Sequence, residues 1–381
     1  MRPSNRRLAP RAAALLLGAI ACAPSDRDAA ASADTATVGA ALAALPLVAD
    51  TLEPAVITDS VKVDSDDPAI WVHPSDPASS LLLGTDKGDT DGGVYVFTLD
   101  GRIDRQRSAT PLQRMNNVDV AQRVVIDGDT LDIAVATERN RQMLRVFSLP
   151  DMRAIDGGGI PVFDGDTTRA PMGVSLYRRP SDGAVFAIVG GKSGPTDGSY
   201  LWQYRLVRGD GGAVRGERVR AFGTFSGTKE IEAITVDDAL GYVYFSDEGV
   251  GVRKYFAEPD SGNRELALFA TTGVVEDHEG LAIYETGPGT GYLLLSDQQG
   301  QRVQVFAREG TDGDPHRHEV LAVIPVRATE TDGLEVTAVP LGARFPEGVL
   351  VMMTNTARFH VYDWRDVARA IATAREAAGA R

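Results

Sequence analysis

Short apolar runs alternate with polar turns along most of this chain, and six of the runs begin in a similar way. In this pattern a polar or acidic residue precedes an apolar segment of strand length. The six copies are DDPAIWV (66–72), NNVDVAQ (116–122), PMGVSLY (171–177), IEAITVD (231–237), HEGLAIY (278–284) and TDGLEVT (331–337). They lie about fifty to sixty residues apart, which is close to the repeat length of a four-stranded propeller blade.

Each copy is followed by two further apolar runs with a polar loop between them, as in GYLLLSD-QQGQR-VQVFARE (291–309) and GYVYFSD-EGVG-VRKYFAE (241–258). Short apolar runs bounded by Gly, Asp and Asn are typical of antiparallel hairpins. Fourth, outer strands are expected in VRAFGTF, ALFATTG and LAVIPVR. The sequence therefore predicts an all-β fold, a six-bladed β-propeller of four-stranded antiparallel blades, because radial repetition leaves only short sheet edges exposed.

The two ends of the chain differ from this repeat. Residues 1–22 contain four arginines, an apolar run too short to cross a bilayer and small residues before Cys22, which together predict an export signal. Residues 23–47 are rich in Ala, Ser, Thr and Asp, as expected of a disordered linker. One propeller domain is predicted over residues 48–381, ending in a short helix that Asp363 could cap.

Cys22 is the only cysteine, so no disulfide can form within the chain and the sheets or bound ions must stabilise it. It stands where the lipid-modified cysteine of a bacterial lipoprotein would stand, with ordinary cleavage near Ala23 as the alternative. We therefore expect an exported monomer, either an outer-membrane lipoprotein or a periplasmic or secreted protein. Membrane contact is expected only through a lipid on Cys22.

The net charge and the absence of several motifs limit the partners and the types of reaction that the sequence allows. The formal net charge is −14, and removal of residues 1–22, with four arginines and no acid, makes it −18. Such a surface repels nucleic acid, so no nucleic-acid partner is expected. The sequence has no G-x-S-x-G elbow, no P-loop, no H-E-x-x-H pattern and no cysteine beyond Cys22. These absences favour a metal-bound water over a side-chain nucleophile.

The first strands of all blades in a propeller start at the same end of the central channel, so their starting residues are expected to meet. These residues are Asp66, Asp67, Asn116, Asn117, Met172, Glu232, Asp277, Glu279 and Asp332. Crowded carboxylates raise one another's pKa unless a cation lies between them, and oxygen ligands without Cys or His favour Ca²⁺. The alternative is that the acids only shape the turn into each strand, which does not explain Glu232 and Glu279.

The loops between the second and third strands open at the same end and separate positive from negative charge. In chain order they carry Lys87, Arg139, Lys192, Asp247 with Glu248, Asp297 and Asn355. Three consecutive blades are thus basic and the next two are acidic. This pattern predicts a site for a multiply charged anion, with the arginine suited to bidentate phosphate binding and the lysines to point-charge binding. The alternative is that each basic residue only increases solubility.

Several segments resemble the β-propeller phytases, and the resemblance extends over residues 64–364. They are DSDDPAIWVHP, NNVDV, IEAITVDDALGYVYFSDE, DHEGL with GYLLLSD, and TETDGLEV. The resemblance implies a calcium-dependent phosphoric monoester hydrolase of the 3-phytase type, whose substrate is phytate, the hexakisphosphate of inositol. Several Ca²⁺ ions are expected as cofactors.

The resemblance also implies roles for individual residues. The predicted catalytic residues are Lys87, Arg139, Lys192 and Glu232. The predicted substrate-binding residues are Lys87, Arg139, Lys192, Asn116 and Met172. The predicted metal ligands are Asp66 or Asp67, Asn117, Glu232, Asp247, Asp277, Glu279 and, as a structural or shared ligand, Asp332.

The sequence departs from the family pattern in three ways. Met172 stands where the family has a phosphate-contacting tyrosine, and Gly88 stands where it often has a second lysine. Asp89 and Asp91 add negative charge beside Lys87. These changes are expected to weaken phosphate affinity or change substrate preference, while the metal ligands stay intact.

The predicted reaction is direct attack on the phosphate by a calcium-bound water, with the three basic residues stabilising the phosphate oxygens. Activity is expected near neutral pH, because protonated acids lose their metal. Two alternatives remain at this stage. A propeller lactonase or esterase with one calcium would have little use for three basic loops, whereas Met172 and the acidic insertion favour a non-catalytic calcium-stabilised binding module.

Overall fold

Six antiparallel sheets surround a central channel in the computed structural model, which describes residues 45–379. The predicted six-bladed β-propeller is confirmed. The predicted export signal, the lipid site at Cys22 and residues 23–44 of the predicted linker lie outside the described residues.

The strands are numbered along the chain. Strand β1 (Val56–Ile57) belongs to the last blade, and blade 1 consists of β2 (Ser65–Trp71), β3 (Leu81–Asp86), β4 (Gly92–Thr98) and β5 (Ala109–Leu112). Blade 2 consists of β6 (Met115–Ile126), β7 (Asp129–Glu138), β8 (Met143–Ser148), β9 (Arg153–Ala154) and β10 (Ile160–Pro161). Blade 3 consists of β11 (Pro171–Arg178), β12 (Val185–Gly191), β13 (Leu201–Arg208) and β14 (Val214–Phe222).

The other half of the ring follows the same order. Blade 4 consists of β15 (Ile234–Asp237), β16 (Tyr242–Asp247), β17 (Gly251–Phe256) and β18 (Ala267–Phe269). Blade 5 consists of β19 (His278–Gly287), β20 (Thr290–Asp297), β21 (Arg302–Ala307) and β22 (Val320–Pro325). Blade 6 consists of β23 (Leu334–Thr337), β24 (Val349–Thr354), β25 (Arg358–Asp363) and, as its outermost strand, β1.

The first strand of each blade lies innermost and packs against the first strands of both neighbouring blades. The second strands β3, β12 and β24 are buried along their whole length, because a neighbouring blade covers each face of the sheet. This double burial explains why second strands appear in the sequence as continuous apolar runs rather than alternating ones. The hydrophobic core therefore lies between the blades and leaves the central channel to polar groups.

The ring is closed by the N-terminal part of the described chain. In β1, Val56 pairs with Val361 of blade 6. Upstream of β1, the backbone N–H of Val48 donates to the carbonyl of Val323, and the N–H of Val323 donates to the carbonyl of Pro46, both at 2.9 Å. Pro46, within the predicted linker, is thus hydrogen-bonded to the outer strand of blade 5.

Helix α1 (Trp364–Gly379) follows β25 directly. The Asp363 carboxylate accepts a hydrogen bond from the backbone N–H of Arg365 at 3.0 Å, which agrees with the predicted cap. The helix buries one face against blades 5 and 6, where Trp364 stacks on Tyr284 with ring centroids 3.4 Å apart. Among residues 45–379, no helix is long and apolar enough to cross a membrane.

A β-bulge interrupts the start of the first strand in four blades of the described chain. The regular pairing with the second strand is shifted between Ser65 and Pro68, and the same shift occurs in blades 2, 3 and 5. A bulge breaks the simple alternation of side chains between the two faces of a strand. It therefore decides which of two neighbouring polar residues faces the end of the channel.

Candidate active site

A cavity of about 530 Å³ lies at the end of the channel where the first strands start. We call it the mouth. It is lined by Lys87, Arg114, Asn116, Arg139, Met172, Lys192, Lys229, Glu230, Glu232, Glu248, Asp277, Glu279, Gln298 and Asp332. The structure therefore brings together all five residues predicted to bind substrate and four of the eight predicted to bind metal, Glu232, Asp277, Glu279 and Asp332.

Hydrogen bonds connect the starts of three first strands at the base of the mouth. The Asn116 amide donates to Asp66 Oδ2 at 2.9 Å and to Glu232 Oε1 at 3.2 Å. All three side chains are buried. Asp66 Oδ1 and Asn116 Oδ1 have no hydrogen-bond partner among the described residues, although Lys87 Nζ lies 3.4 Å from Asp66 Oδ1.

The acids of blades 4 and 5 are close enough to share cations. One oxygen each of Glu230, Glu232 and Glu248 lies within 4.8 Å of the others, and so does one oxygen each of Glu248, Asp277 and Glu279. Within the described part of the chain, Glu248 Oε1 and Glu279 Oε2 are buried without a hydrogen-bond partner. Buried, unpartnered carboxylate oxygens are the ligands that a hard cation such as Ca²⁺ requires, so these residues fit the predicted ion.

Without a cation, four buried acids at or beside the mouth have raised pKa values. Burial, assisted by the charges of Glu230 and Asp277, raises the pKa of Glu248 to about 8. Burial also raises the pKa of Asp66 to about 7, although Lys87 opposes the shift. The pKa values of Glu232 and Glu279 are raised well above the ordinary range, again chiefly by burial and then by neighbouring carboxylates. A bound divalent cation would favour the ionised forms.

The three predicted phosphate-binding cations line the mouth, but only two of them form ion pairs with carboxylates. Lys87 Nζ lies 2.7 Å from Asp332 Oδ2, and Lys192 Nζ lies 2.7 Å from Glu230 Oε2. Arg139 makes no ion pair within 4 Å among residues 45–379. Burial and the nearby Arg114 lower the pKa of Arg139, which indicates a guanidinium that an anion would stabilise.

Two predicted metal ligands face a different cavity. Asp67 and Asn117 line the central channel behind the mouth, a space of about 470 Å³. The backbone N–H of Val118 donates to Asp67 Oδ2 at 3.1 Å. The bulges at residues 65–68 and 115–118 place the first member of each polar pair at the mouth and the second in the channel. The structure thus separates Asp67 and Asn117 from the mouth acids.

Asp247 is also placed outside the mouth. Its carboxylate accepts hydrogen bonds from Arg253 Nε at 2.9 Å, from the Ser226 N–H at 3.0 Å and from Ser226 Oγ at 2.7 Å. Asp247 is fully buried, and both of its oxygens are occupied. The structure therefore places Glu248, and not the predicted Asp247, in the lining of the mouth.

Asp247 belongs to a repeated structural feature. The last residue of the second strand is an acid in blades 1, 2, 4 and 5, and we call these four residues, Asp86, Glu138, Asp247 and Asp297, the strand-end carboxylates. Each accepts a hydrogen bond from the backbone N–H of a residue that precedes the first strand of its own blade. The strand-end carboxylates therefore anchor the chain where it enters a blade.

The departures from the family pattern have structural explanations. Met172 is 2% exposed and lines the mouth, as predicted for this position. A Cβ atom on Gly88 would lie 2.8 Å from the backbone nitrogen of Gly92, so a second lysine would not fit this loop. Asp89 pairs with Arg114 at 3.2 Å and Asp91 pairs with Lys62, so their charges are directed to those cations and away from Lys87.

Five mouth residues were not predicted as site residues from the sequence: Arg114, Lys229, Glu230, Glu248 and Gln298. Arg114 and Glu230 each lie two residues before a predicted site residue, in RMN and EIE. Gln298 donates to Asp332 Oδ1 at 2.6 Å and follows directly on a second strand. The signal in the sequence that could have identified these residues is their closeness to the first-strand pattern or to the end of a second strand.

The fold and the mouth together define a propeller protein with crowded oxygen ligands on one side of an axial cavity and cations on the other. A family model described as Phytase matches residues 12–363. The chain is also 30% identical over 323 residues to a 3-phytase of Bacillus subtilis (strain 168), an alignment that covers 80% of each protein. The chain belongs to the phytase family, and the resemblance read from the sequence is confirmed.

Solved structures with the same general architecture are more distant. A luciferin-regenerating enzyme aligns with a TM-score of 0.49 at 12% identity, covering 81% of this chain and 94% of its own. The Dos1 propeller aligns with a TM-score of 0.41 at 13% identity, covering 79% of this chain and 68% of its own. Similarities this distant carry no argument about function.

Proposed function

We propose that this protein is a calcium-dependent 3-phytase that removes phosphate from phytate at the mouth. Membership of the phytase family and the similarity to a 3-phytase support the substrate. The main observation in favour of a calcium-dependent reaction is that the mouth has an acidic side and a basic side. Among the described residues, Glu248 and Glu279 have carboxylate oxygens without a partner, and they share the cavity with Arg139, which has no ion pair.

The residues that would hold calcium are the acids of the mouth. Glu230, Glu232 and Glu248 form one group, and Glu248, Asp277 and Glu279 form the second. Asp66 and Asp332, which lie on either side of Lys87, are further candidates. When bound, calcium would neutralise phosphate charge and lower the pKa of a water molecule.

The protein's own cations bind and orient the substrate in this proposal. Arg139 can make two parallel hydrogen bonds to one phosphate group because its guanidinium is planar and unpaired. Lys87 and Lys192 supply point charges from the neighbouring blades 1 and 3. Phosphoryl transfer depends mostly on such positioning and charge stabilisation, so the three residues act on the transition state as well as on binding.

A neutral ester or lactone would gain little from three cations around one cavity, which argues against the lactonase alternative. The binding-module alternative relied on Met172 and on the acidic residues beside Lys87. Since Asp89 and Asp91 are paired with Arg114 and Lys62, the acidic insertion does not weaken the case for phosphate binding.

The direct test is phosphate release from phytate and from p-nitrophenyl phosphate, with calcium and with excess chelator. We expect turnover with calcium and a loss of at least about a thousandfold in chelator, because metal ions supply several kcal/mol of transition-state stabilisation. The variant Glu248→Gln should lose activity at limiting calcium, whereas Glu217→Gln, on the exposed outer strand of blade 3, should not. Undiminished turnover in excess chelator would rule out the calcium-dependent mechanism.

A further inference from the structure

Lys229 is a mouth cation on the acidic side of the cavity. It lies in the segment that leads into blade 4, and its side chain is 35% exposed. Its ammonium group donates to Glu276 Oε1 at 3.0 Å and contacts Asp277 Oδ1 directly. Both Lys229 and Asp277 line the mouth together with Arg139 and Lys192.

The position of this ammonium group conflicts with a metal at the same acid. Asp277 shares a group of three closely spaced carboxylates with Glu248 and Glu279. Its Oδ1 contacts Lys229, and its Oδ2 accepts a hydrogen bond from Gln299 at 2.8 Å. Both oxygens of Asp277 therefore have partners, so a cation that takes Asp277 as a ligand competes with them.

The partner that calcium would displace is the lysine. An ammonium ion and a divalent cation on one carboxylate repel each other, whereas the Gln299 amide is neutral and can keep its hydrogen bond to the second oxygen. Lys229 has a flexible stem and is partly exposed, so its head group can move within the cavity without unfolding of the local backbone. The displaced charge would remain at the mouth, on the side of blades 4 and 5.

We propose that Lys229 is an internal counter-ion of Asp277 that calcium displaces, and that the released ammonium group then binds a phosphate group of the substrate. The inference rests on the proposed function and adds a fourth cation to the three on blades 1 to 3. It makes phosphate binding at this side of the mouth dependent on prior calcium binding, because Lys229 is neutralised by Asp277 and Glu276 until the metal arrives.

The first experiment measures calcium binding alone, by calorimetry on protein stripped of metal. Removal of the competing charge in Lys229→Met should raise the calcium affinity of one site about three- to tenfold, as expected for a partly exposed ion pair. The matched control is Lys62→Met, which removes a lysine paired with Asp91 outside the mouth lining and should leave calcium affinity unchanged. Equal or weaker calcium binding by Lys229→Met would overturn the proposal.

The second experiment measures binding of inorganic phosphate at saturating calcium. Lys229→Met should bind phosphate about tenfold more weakly than the wild type, and Lys229→Arg should restore most of the affinity, because the arginine keeps the charge. Unchanged phosphate affinity in Lys229→Met would overturn the assignment of a phosphate contact. A purely structural role would move the melting temperature of Lys229→Met without these opposite changes in the two affinities.

These measurements also separate the inference from the proposed function. A wild-type protein that binds calcium and phosphate but releases no phosphate from phytate would refute the 3-phytase activity. The comparison of Lys229→Met with Lys62→Met would still decide the counter-ion role, since neither binding experiment uses turnover.

Discussion

The strand-end carboxylates and the mouth carboxylates are both buried acids at the same end of the propeller, yet their surroundings are opposite. Asp247 and Asp297 each bind an arginine of the adjacent third strand, Arg253 at 2.8 Å and Arg302 at 2.6 Å. Glu248 and Glu279, by contrast, face other carboxylates and each keep one oxygen without a partner in the described structure. The charges of Asp247 and Asp297 are thus balanced within the protein, whereas those of Glu248 and Glu279 would be balanced only by added cations.

One cation of the mouth, Arg139, differs in the same way from the arginines beside the strand-end carboxylates. Arg253, Arg302 and Arg145 are all bound to strand-end carboxylates. Arg139 lies one residue beyond a strand-end carboxylate, Glu138, and has no ion pair within 4 Å among the described residues. Burial alone therefore does not mark a functional charge in this protein. The absence of a counter-charge does, because a folded protein rarely leaves a buried charge unpaired without a ligand to balance it.

The largest expected effect comes from breaking a strand-end pair. Asp247→Asn removes the buried ion pair of Arg253, which keeps only Glu265 as a partner, and should lower the free energy of unfolding by about 3 kcal/mol, the lower end of the range for a broken buried pair. This loss should be similar with calcium and in chelator. Thermal or denaturant unfolding under both conditions measures it.

The matched variant is Glu248→Gln, one residue away. It removes a charge from an acid cluster, so the calcium-free protein should keep or gain stability while calcium stabilises it less than it stabilises the wild type. If Asp247→Asn lost stability only in the presence of calcium, Asp247 would be a metal ligand and the distinction between the two regions would fail.

The neighbouring pair Asp247 and Glu248 also shows how far the sequence could predict the site. Strand-length apolar runs placed both residues at the correct end of blade 4, but spacing alone could not show which carboxylate an arginine occupies. Likewise, Asp66 and Asp67 both precede the same strand, and the bulge between Ser65 and Pro68 decides which one reaches the mouth. Bulges arise from tertiary packing and leave no clear local signal.

The fold was more predictable than the site because it depends on a repeated pattern. Six copies of one strand pattern with paired hairpins suffice to indicate six blades. The closing strand β1 could not be read in this way, because its partner Val361 lies about three hundred residues away and two residues give no periodicity. The cation Lys229 was missed for a similar reason, since its partner Asp277 belongs to the next blade.

The next largest effect is expected from a substitution of Arg139, the cation without an ion pair among the described residues. Arg139→Ala should lower kcat/KM for phytate about ten- to a hundredfold, the equivalent of about 1.5 to 3 kcal/mol for one charge-assisted contact. Arg141→Ala is the matched control, because Arg141 lies in the same turn but outside the mouth lining. Its side chain is exposed, and its 3.5 Å pair with Glu138 is backed by the closer pair of Glu138 with Arg145. Arg302 is unsuitable as a control, since it is bound to the buried Asp297. Equal losses in both variants would indicate a general charge effect and no specific site.

The mouth carboxylates should also make stability depend on pH in a way that the strand-end carboxylates do not. Burial raises the pKa of Glu248 to about 8 and that of Asp66 to about 7 in the calcium-free fold, whereas unfolded acids titrate near pH 4. The folded form thus holds more protons, so this contribution to stability is complete at low pH and is lost as pH rises to about 8. Calcium-free protein should therefore lose stability between about pH 5 and pH 8.

Calcium should cancel this loss, because the metal replaces the protons on the mouth carboxylates. Melting temperatures across the pH range, with calcium and in chelator, give the comparison. Glu248→Gln should flatten the calcium-free curve. A calcium-free protein that became more stable between about pH 5 and pH 8 would show that the mouth carboxylates do not govern its titration.

The smallest expected effect concerns Met172, a neutral residue between the charged groups of the mouth. Its side chain lines the cavity, so Met172→Tyr should place a hydroxyl where it can donate to a phosphate oxygen. One neutral hydrogen bond should lower the KM for phytate about two- to tenfold with little change in kcat. Met172→Leu is the control for side-chain volume without a donor. If Met172→Tyr lost about 1 to 3 kcal/mol of stability without a lower KM, the position would be part of the packed blade. The mouth would then bind its substrate through charged groups alone.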